Sequence, residues 1–504
     1  MRTKKIFLNM ICDIIPYLLI GIVGLIKVNF LINYIGDVGN GYYQTINQII
    51  TYVFLAQIGF GDAVVFSLYK HFADKDKKDI NRVYTGSRKI FKKIGLVILA
   101  IIFIVSLFLY FFYGFEDGYR NTSLFAFIVI SCSYLISYFG CGQTYLAVLS
   151  ASQNKYVYSL VFNSIKLFCD ISIIIVSYKI RTLESIAIVI LISKIIEEII
   201  LRIVMKKKFS WLHEVKREDT SMFKMTYDLA GATIGNLILN NVDYIIIMLF
   251  LGPVQVSIYS SYIFITRYLI EISSKVELAT VNSFGEVFAK NEEDKIYPLF
   301  KELLVLFIII SFSMILTFNI GIRGFINLWI GKESYILSYL TIFMFGLIAF
   351  LRIINLPLLT LTKANGYFKN NKNHILISVV INIVLSLLLV KPNGLNGLLF
   401  GTLIAYLVNL ILKINLVEKK IFNKIKHKST FIYYLIILIS FLILSYVIKL
   451  FENNIYLSMT SLIVSILLLG LIFISIISLS SGLFCTASES SRDLFKRLKR
   501  IIKK

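Results

Sequence analysis

The chain has 504 residues, of which 58% are hydrophobic and only 16% charged, with a formal net charge of +23. Soluble globular domains hold roughly 45–50% apolar and about 25% charged residues, so this composition excludes an ordinary soluble protein and indicates a surface that faces lipid. A basic excess of this size would suggest a nucleic-acid partner in a soluble protein, but here its distribution follows a membrane topology instead.

Apolar segments long enough to cross a membrane recur along nearly the whole chain. A helix needs about 20 residues to span the hydrocarbon core. The predicted spans lie at 9–35, 42–69, 94–113, 122–149, 156–178, 182–204, 225–251, 254–284, 299–319, 335–362, 373–390, 395–415, 430–450 and 456–480. The sequence therefore predicts an all-α polytopic membrane protein with fourteen transmembrane helices.

The loops between these spans differ in basic content. If the N-terminus is cytoplasmic, most of the 52 Lys and Arg residues fall in the cytoplasmic segments. This bias is the positive-inside rule. It predicts that both termini are cytoplasmic, in a multi-pass protein of the inner (cytoplasmic) cell membrane, and it accounts for the net charge without a nucleic acid.

An internal repeat indicates two lobes. Gly36 and Tyr43 have the same spacing as Gly252 and Tyr259, and each pair precedes or enters a span. Transporters are often built from such repeats, with the substrate between the halves. The predicted domains are a six-helix lobe at 1–205, a cytoplasmic linker at 206–224, a six-helix lobe at 225–415, two extra helices within 416–484, and a basic amphipathic cytoplasmic tail at 485–504.

Several cations lie inside the predicted spans. A charge there costs about 2.5–3.5 kcal/mol and usually faces the bundle interior or a cavity. Lys27, Arg267 and Arg352 have no certain acid partner close in sequence, which makes them candidates for a cationic substrate cavity. Lys166 and Lys275 are further candidates.

The alternative for some of these charges is pairing along one helix. Lys166 with Asp170, and Lys275 with Glu271, have the i,i+4 spacing of helix ion pairs. Lys194 is likewise close to Glu197 and Glu198 on one helix. These groups either neutralise one another or serve a substrate.

Two intramembrane carboxylates are candidates for ion coupling. Asp62 lies about five helical turns beyond Gln44, which places it on the polar face of the second predicted helix. Asp243 lies on the polar face of the seventh. All four histidines, including His374, are assigned to cytoplasmic loops, so a proton relay would have to use carboxylates. No P-loop, metal motif or catalytic arrangement occurs, which predicts a non-enzyme without cofactor or metal.

Local motifs in a consistent order resemble the polysaccharide transporter family, whose O-antigen-unit flippases belong to the multidrug/oligosaccharidyl-lipid/polysaccharide exporter superfamily. The likeness spans about 1–480. The matching residues are Gly39, Gly41, Tyr42, Tyr43, Gly59-Phe60-Gly61, Asn241-Val-Asp243, Leu251-Gly252, Tyr259, Ala364-Asn365-Gly366, Asn382, Gly394, Gly397, Gly401 and Thr402.

The resemblance implies a flippase that moves undecaprenyl-pyrophosphate-linked oligosaccharide units to the external leaflet for surface polysaccharide synthesis. It implies alternating access through a central cationic cavity. The implied partners are the lipid-linked oligosaccharide and membrane lipids, with polysaccharide polymerase machinery as a further candidate. Two alternatives stay open, an ion-coupled multidrug antiporter of the same superfamily and a peptidoglycan-precursor flippase. A membrane polymerase or ligase is disfavoured because every predicted external loop is short.

Overall fold

The computed structural model describes residues 2–112, 118–216, 218–219, 226–290, 292–422 and 430–452. Every regular element in these ranges is helical, and they contain no β-strand. The helices coincide with the first thirteen predicted spans, which confirms the all-α polytopic fold. The fourteenth span at 456–480 and the basic tail at 485–504 lie outside the described residues.

The chain forms two compact units, Met1–Ile258 and Tyr259–Lys504. The helices of the first are α1 (Arg2–Phe30), α2 (Asp37–Val53), α3 (Phe60–Ala73), α4 (Lys77–Phe112), α5 (Arg120–Phe139), α6 (Gly142–Ala151), α7 (Lys155–Lys179), α8 (Leu183–Lys208) and α9 (Thr226–Leu251). Helix α10 (Pro253–Ala289) begins in the first unit and continues into the second. The predicted division of the chain at 206–224 stays a prediction.

The helices of the second unit are α11 (Glu293–Ile330), α12 (Tyr339–Ile354), α13 (Leu356–Ala364), α14 (Phe368–Lys420) and α15 (Thr430–Glu452). Helix α14 contains two predicted spans, because the chain turns at Gly394, whose φ of 56° and ψ of −137° are not helical. Its two arms pack closely. A Cβ atom at Gly401 would lie 2.7 Å from the backbone nitrogen of Ser386, so glycine is required for this contact.

Large apolar side chains cover the outside of the helices. Phe103 and Ile104 of α4 are each 64% exposed, and Leu388 of α14 is 66% exposed. Within the described residues, eight helical segments are long and apolar enough to cross a membrane. The chain is therefore a multi-pass membrane protein, with lipid covering these side chains.

The two copies of the sequence repeat share one backbone conformation. Gly36 and Gly252 have φ values of 89° and 84°, a region that is open to glycine and strained for other residues. Each is followed at once by a helix, α2 at Asp37 and α10 at Pro253. The repeated glycine therefore marks a turn that reverses the chain before a span.

Three predicted spans are interrupted. The second changes to a 3₁₀ turn at Phe54–Gln57 and resumes as α3 after Gly59, whose φ is 88°. The prediction that Gln44 and Asp62 share one helical face is therefore wrong, because no continuous helix joins them. The fourth span is broken between α5 and α6, and the tenth at Asn355. Pro357 lies in the first turn of α13, where its missing N–H is tolerated.

Helix α4 extends well past a membrane span and binds the segment that follows α8. Its 36 residues reach about 54 Å at 1.5 Å per residue, against about 30 Å of hydrocarbon. Val215 donates its N–H to Thr85 Oγ1 at 3.0 Å, and Asp219 donates its N–H to the Arg82 carbonyl at 3.2 Å. The predicted linker is therefore bound to α4 over its described residues.

Candidate functional site

Two predicted cavity cations lie near each other in the first unit. Lys27 is in the last turn of α1 and Lys166 is in α7, and these two helices pack together. Lys27 Nζ lies 2.6 Å from Asp170 Oδ1, with the two side chains 16% and 6% exposed. The interpretation of Lys27 as a cation without an acid is therefore wrong.

The predicted pair of Lys166 with Asp170 is also wrong. Their i,i+4 spacing allows a helix pair, but the packing of α1 on α7 supplies Lys27 to the same carboxylate. Lys166 is exposed and makes no hydrogen bond or ion pair within the part of the chain that the structure describes. It interacts electrostatically with Lys27, Asp170 and Lys194.

The third cation of this region is Lys194 of α8. Its Nζ atom lies 2.7 Å from Glu197 Oε2, which confirms the predicted pairing of these two residues. The ammonium also lies 5.2 Å from the ring centroid of Tyr134 and 5.1 Å from that of Phe162, distances typical of cation–π contacts. Lys27, Lys166 and Lys194 together are named the unit-1 lysine cluster. Its three cations are accompanied by two ion-paired carboxylates.

Glu198 does not join this cluster, although its sequence position suggested that it would. Glu198 Oε1 accepts hydrogen bonds from the Cys141 backbone N–H at 2.8 Å and from Arg202 Nε at 3.0 Å. A Cβ atom at Gly142 would lie 2.9 Å from Glu198 Oε2, and one at Gly140 would overlap the carboxylate. Glu198 thus fills the break between α5 and α6, and two glycines leave it room.

The two predicted coupling carboxylates differ in environment. Asp62 is exposed in the first turn of α3. Asp243 of α9 is 3% exposed and interacts electrostatically with Tyr52 of α2. Their role in ion coupling stays a prediction.

The predicted cations of the second unit lie on two helices, Arg267 and Lys275 on α10 and Arg352 on α12. Arg352, in the last turn of α12, places its guanidinium 5.2 Å from the ring centroid of Tyr406. Arg267 of α10 is half-buried and Lys275 is exposed, and each has interactions with neighbouring groups. A cavity shared by Lys27, Arg267 and Arg352 stays a prediction.

A second charged group was missed from the sequence. Glu277 of α10 is 2% exposed and accepts hydrogen bonds from Lys363 Nζ at 3.1 and 3.3 Å. Lys413, on the second arm of α14, is 4% exposed and interacts electrostatically with both groups. His374, on the first arm, interacts in turn with Lys413. These four residues are named the unit-2 charge cluster.

The prediction that His374 lies in a loop is wrong, because it belongs to α14. The signal for this cluster was Glu277, an acid inside a predicted span. Its partners were overlooked because Lys363 and Lys413 lie at the predicted ends of spans, where lysine is ordinary. Among the described residues, no group of three or more His, Cys, Asp or Glu side chains is placed to hold a metal ion.

The sequence matches no family model and no curated protein. Solved structures do resemble it. An inward-facing multidrug resistance MATE transporter of the MOP superfamily gives a TM-score of 0.65 at 12% identity, covering 83% of this chain and 100% of that one. The lipid II flippase MurJ, in an inward closed conformation, gives 0.68 at 15% identity and covers 93% and 98%.

A third similar structure is a MOP superfamily transporter from Pyrococcus furiosus, described as having a binding pocket of reverse polarity. It gives a TM-score of 0.58 at 12% identity, covering 82% of this chain and 95% of that one. At these identities the likeness concerns the fold. This chain has the fold of the MOP superfamily transporters.

Proposed function

We propose that the protein is a flippase that moves undecaprenyl-pyrophosphate-linked oligosaccharide units from the cytoplasmic to the external leaflet. The observation that carries this proposal is Lys166, whose side chain is exposed in a spanning helix and has no ion pair in the described chain. Two further ammoniums accompany it, each with a carboxylate. The unit-1 lysine cluster therefore has an excess of one positive charge inside the membrane.

An anionic headgroup fits this excess. A cation in a spanning segment is costly unless something compensates its charge, and the pyrophosphate of a lipid-linked saccharide brings negative charge to the same depth. Hydrogen bonds between ammonium and phosphate groups are short and strong. Lys27 and Lys194 contribute to the positive field while their carboxylates hold them in place. Arg352 is a further candidate contact, since guanidinium binds phosphate bidentately.

The multidrug antiporter remains an alternative, since MATE transporters are among the similar structures. Two observations disfavour it. A cationic drug would be repelled by the excess charge of the unit-1 lysine cluster. The MATE structures also cover 83% of this chain, whereas the lipid II flippase covers 93%. The additional coverage is consistent with helices beyond the twelve usual in antiporters.

A peptidoglycan-precursor flippase is the second alternative, and the likeness to the lipid II flippase supports it. Both flippase functions require a cationic site for a lipid-linked pyrophosphate. They differ in the attached sugar, and the charges of the unit-1 lysine cluster do not distinguish one sugar from another. The motifs that resemble those of the polysaccharide transporter family favour the polysaccharide substrate.

The test is transport by purified protein in vesicles loaded with an undecaprenyl-pyrophosphate-linked saccharide. Lys166→Ala removes one charge-assisted contact, worth about 1.5–3 kcal/mol, so translocation should fall roughly tenfold to a hundredfold. Lys166→Arg keeps the charge and should retain most of the rate. Lys155→Ala, at the exposed start of the same helix, is the matched control.

The same variants distinguish the alternatives. Unchanged translocation by Lys166→Ala would show that the headgroup does not bind at the unit-1 lysine cluster. Export of cationic drugs by the wild-type protein, with no movement of any lipid-linked saccharide, would favour the antiporter. Preference for the peptidoglycan precursor over an oligosaccharide unit in the same vesicles would favour the second alternative.

A further inference from the structure

Lys413 is a lysine enclosed within the second unit. Its side chain is 4% exposed and makes no hydrogen bond or ion pair with any residue that the structure describes. The neighbouring amide one turn earlier is already engaged. Asn409 accepts a hydrogen bond from Asn355 Nδ2 at 3.0 Å and donates one to Ser378 Oγ at 3.2 Å. The Asn409 amide is thus bonded to other partners and not to Lys413.

The charges around Lys413 do not balance. Glu277 is the one carboxylate with which it interacts, and both oxygens of Glu277 accept from Lys363 in the present arrangement. His374 is the remaining titratable neighbour. A second ammonium enclosed beside one carboxylate that is already paired with Lys363 is strongly unfavourable. Such a lysine either gives up its proton or shares the carboxylate.

We propose that Lys413 is a reversible proton-binding site, with Glu277 as the counter-ion that it shares with Lys363 when protonated. In one state the Lys413 amine is neutral and Glu277 accepts both hydrogen bonds from Lys363, as in the structure. In the other, the amine lone pair of Lys413 has taken up a proton, and Glu277 directs one oxygen to each ammonium.

His374 provides a route for the proton. Its side chain is half-buried, and its Nδ1 atom has no hydrogen-bond partner within the described chain. His374 and Lys413 are not hydrogen-bonded to each other, so a proton passes between them only when a side chain moves. The imidazolium at His374 then becomes a neutral imidazole as the Lys413 amine gains the proton. Charge and protons are conserved in this step, and the reverse step releases the proton.

The rearrangement of Glu277 involves three helices. Glu277 belongs to α10, Lys363 to α13 and Lys413 to α14, so a change of partner alters how these elements are held together. This arrangement makes the cluster a candidate for the coupling of a proton gradient to transport. That role depends on the proposed flippase function, whereas proton binding at Lys413 does not.

Thermal unfolding as a function of pH tests proton binding without any substrate. Lys413→Met replaces the amine by an apolar side chain of similar length, and Lys419→Met, at an exposed position on the same helix, is the control. An exposed lysine in the unfolded chain keeps its proton below about pH 9. A folded protein with a neutral Lys413 binds one proton fewer than the unfolded chain. The wild type therefore gains stability as the pH rises, relative to Lys413→Met.

We expect Lys413→Met to have the higher Tm near about pH 7, and the difference to shrink toward about pH 9. Lys419→Met should follow the wild type at every pH. A difference between wild type and Lys413→Met that stays constant with pH would overturn the proposal.

Transport in vesicles with an imposed pH gradient tests the coupling. Position 413 is never charged in Lys413→Met and always charged in Lys413→Arg. In both variants, the increase in transport rate produced by a pH gradient should be at least tenfold smaller than in the wild type. Lys419→Met should keep it. Retention of the acceleration by both Lys413 variants contradicts coupling at this site. Absence of saccharide transport by the wild type, with the pH-dependent Tm difference present, would count against the flippase proposal alone.

Discussion

The Lys27 ammonium and the Asp170 carboxylate bind each other across 143 positions of sequence and join α1 to α7. Removing only one partner of such a buried pair leaves an uncompensated charge, at a cost of about 3–5 kcal/mol. Lys27→Ala should therefore lower the thermal stability and the membrane level of the protein, and Asp170→Ala should do the same.

The double variant Lys27→Met with Asp170→Leu leaves no charge unpaired and should recover most of the lost stability. Lys179→Ala, at the exposed end of α7, is the control for loss of a lysine. Thermal unfolding of the purified variants measures each effect. Equal stability of Lys27→Ala and Lys179→Ala would show that the pair contributes little.

The break between α5 and α6 depends on space for Glu198. Gly140→Ala would place a Cβ atom against the Glu198 carboxylate and 2.6 Å from the Ile136 carbonyl oxygen. Overpacking of this kind costs about 1–3 kcal/mol, so the Tm should fall. Gly61→Ala is the matched control, because its Cβ atom would meet nothing within 4 Å. A similar Tm for the two variants would contradict the close packing.

The orientation in the membrane is tested by cysteine labelling. Gly39 is a poor reporter because it is buried, whereas Ser334 and Asp74 are exposed. In a variant without the native cysteines, Ser334→Cys should react with an impermeant maleimide in intact cells. Asp74→Cys should react only after the membrane is opened. The reverse pattern would place the N-terminus outside.

Asp76 makes the start of α4 sensitive to acid. Its carboxylate accepts hydrogen bonds from the backbone N–H groups of Asp79 at 3.1 Å and Lys78 at 2.9 Å. These hydrogen bonds lower the pKa of Asp76 below its usual value, and the one from Asp79 has the larger effect. The stabilisation is therefore present at neutral pH and is lost as the pH falls through the lowered pKa.

Asp76→Ala should consequently lower the Tm at neutral pH and have a smaller effect in acid. Asp76→Asn keeps a side-chain oxygen that can cap the helix and should show an intermediate loss at neutral pH. Unfolding curves recorded for the three proteins at both pH values measure this. An equal loss for Asp76→Ala at both pH values would rule out a charged cap.

Hydrophobic segments were sufficient to predict the thirteen spans that lie in the described residues, because membrane thickness fixes how long an apolar helix must be. They did not reveal the breaks after Gln57 and Phe139. Backbone conformation at Gly59 and Gly140 depends on what packs beside them, and hydropathy is insensitive to it. The face assigned to Asp62 was wrong for this reason.

Ion pairs were predictable only along single helices. Lys194 and Glu197 were identified because one turn separates them, whereas Asp170 takes its partner from α1. The choice between Lys166 and Lys27 depends on which helices touch, and the order of residues does not contain that information. Lys413 was missed because a lysine near the end of a span resembles a topological signal until its burial is known.

The contact between α4 and the segment after α8 has a consequence for biosynthesis. Chains fold from the N-terminal side as they leave the ribosome, and Thr85 precedes its partner Val215 by 130 residues. The part of α4 that receives this segment is thus translated before the segment itself. Val215 and Asp219 can therefore bind α4 during synthesis, while most of the second unit has yet to be made.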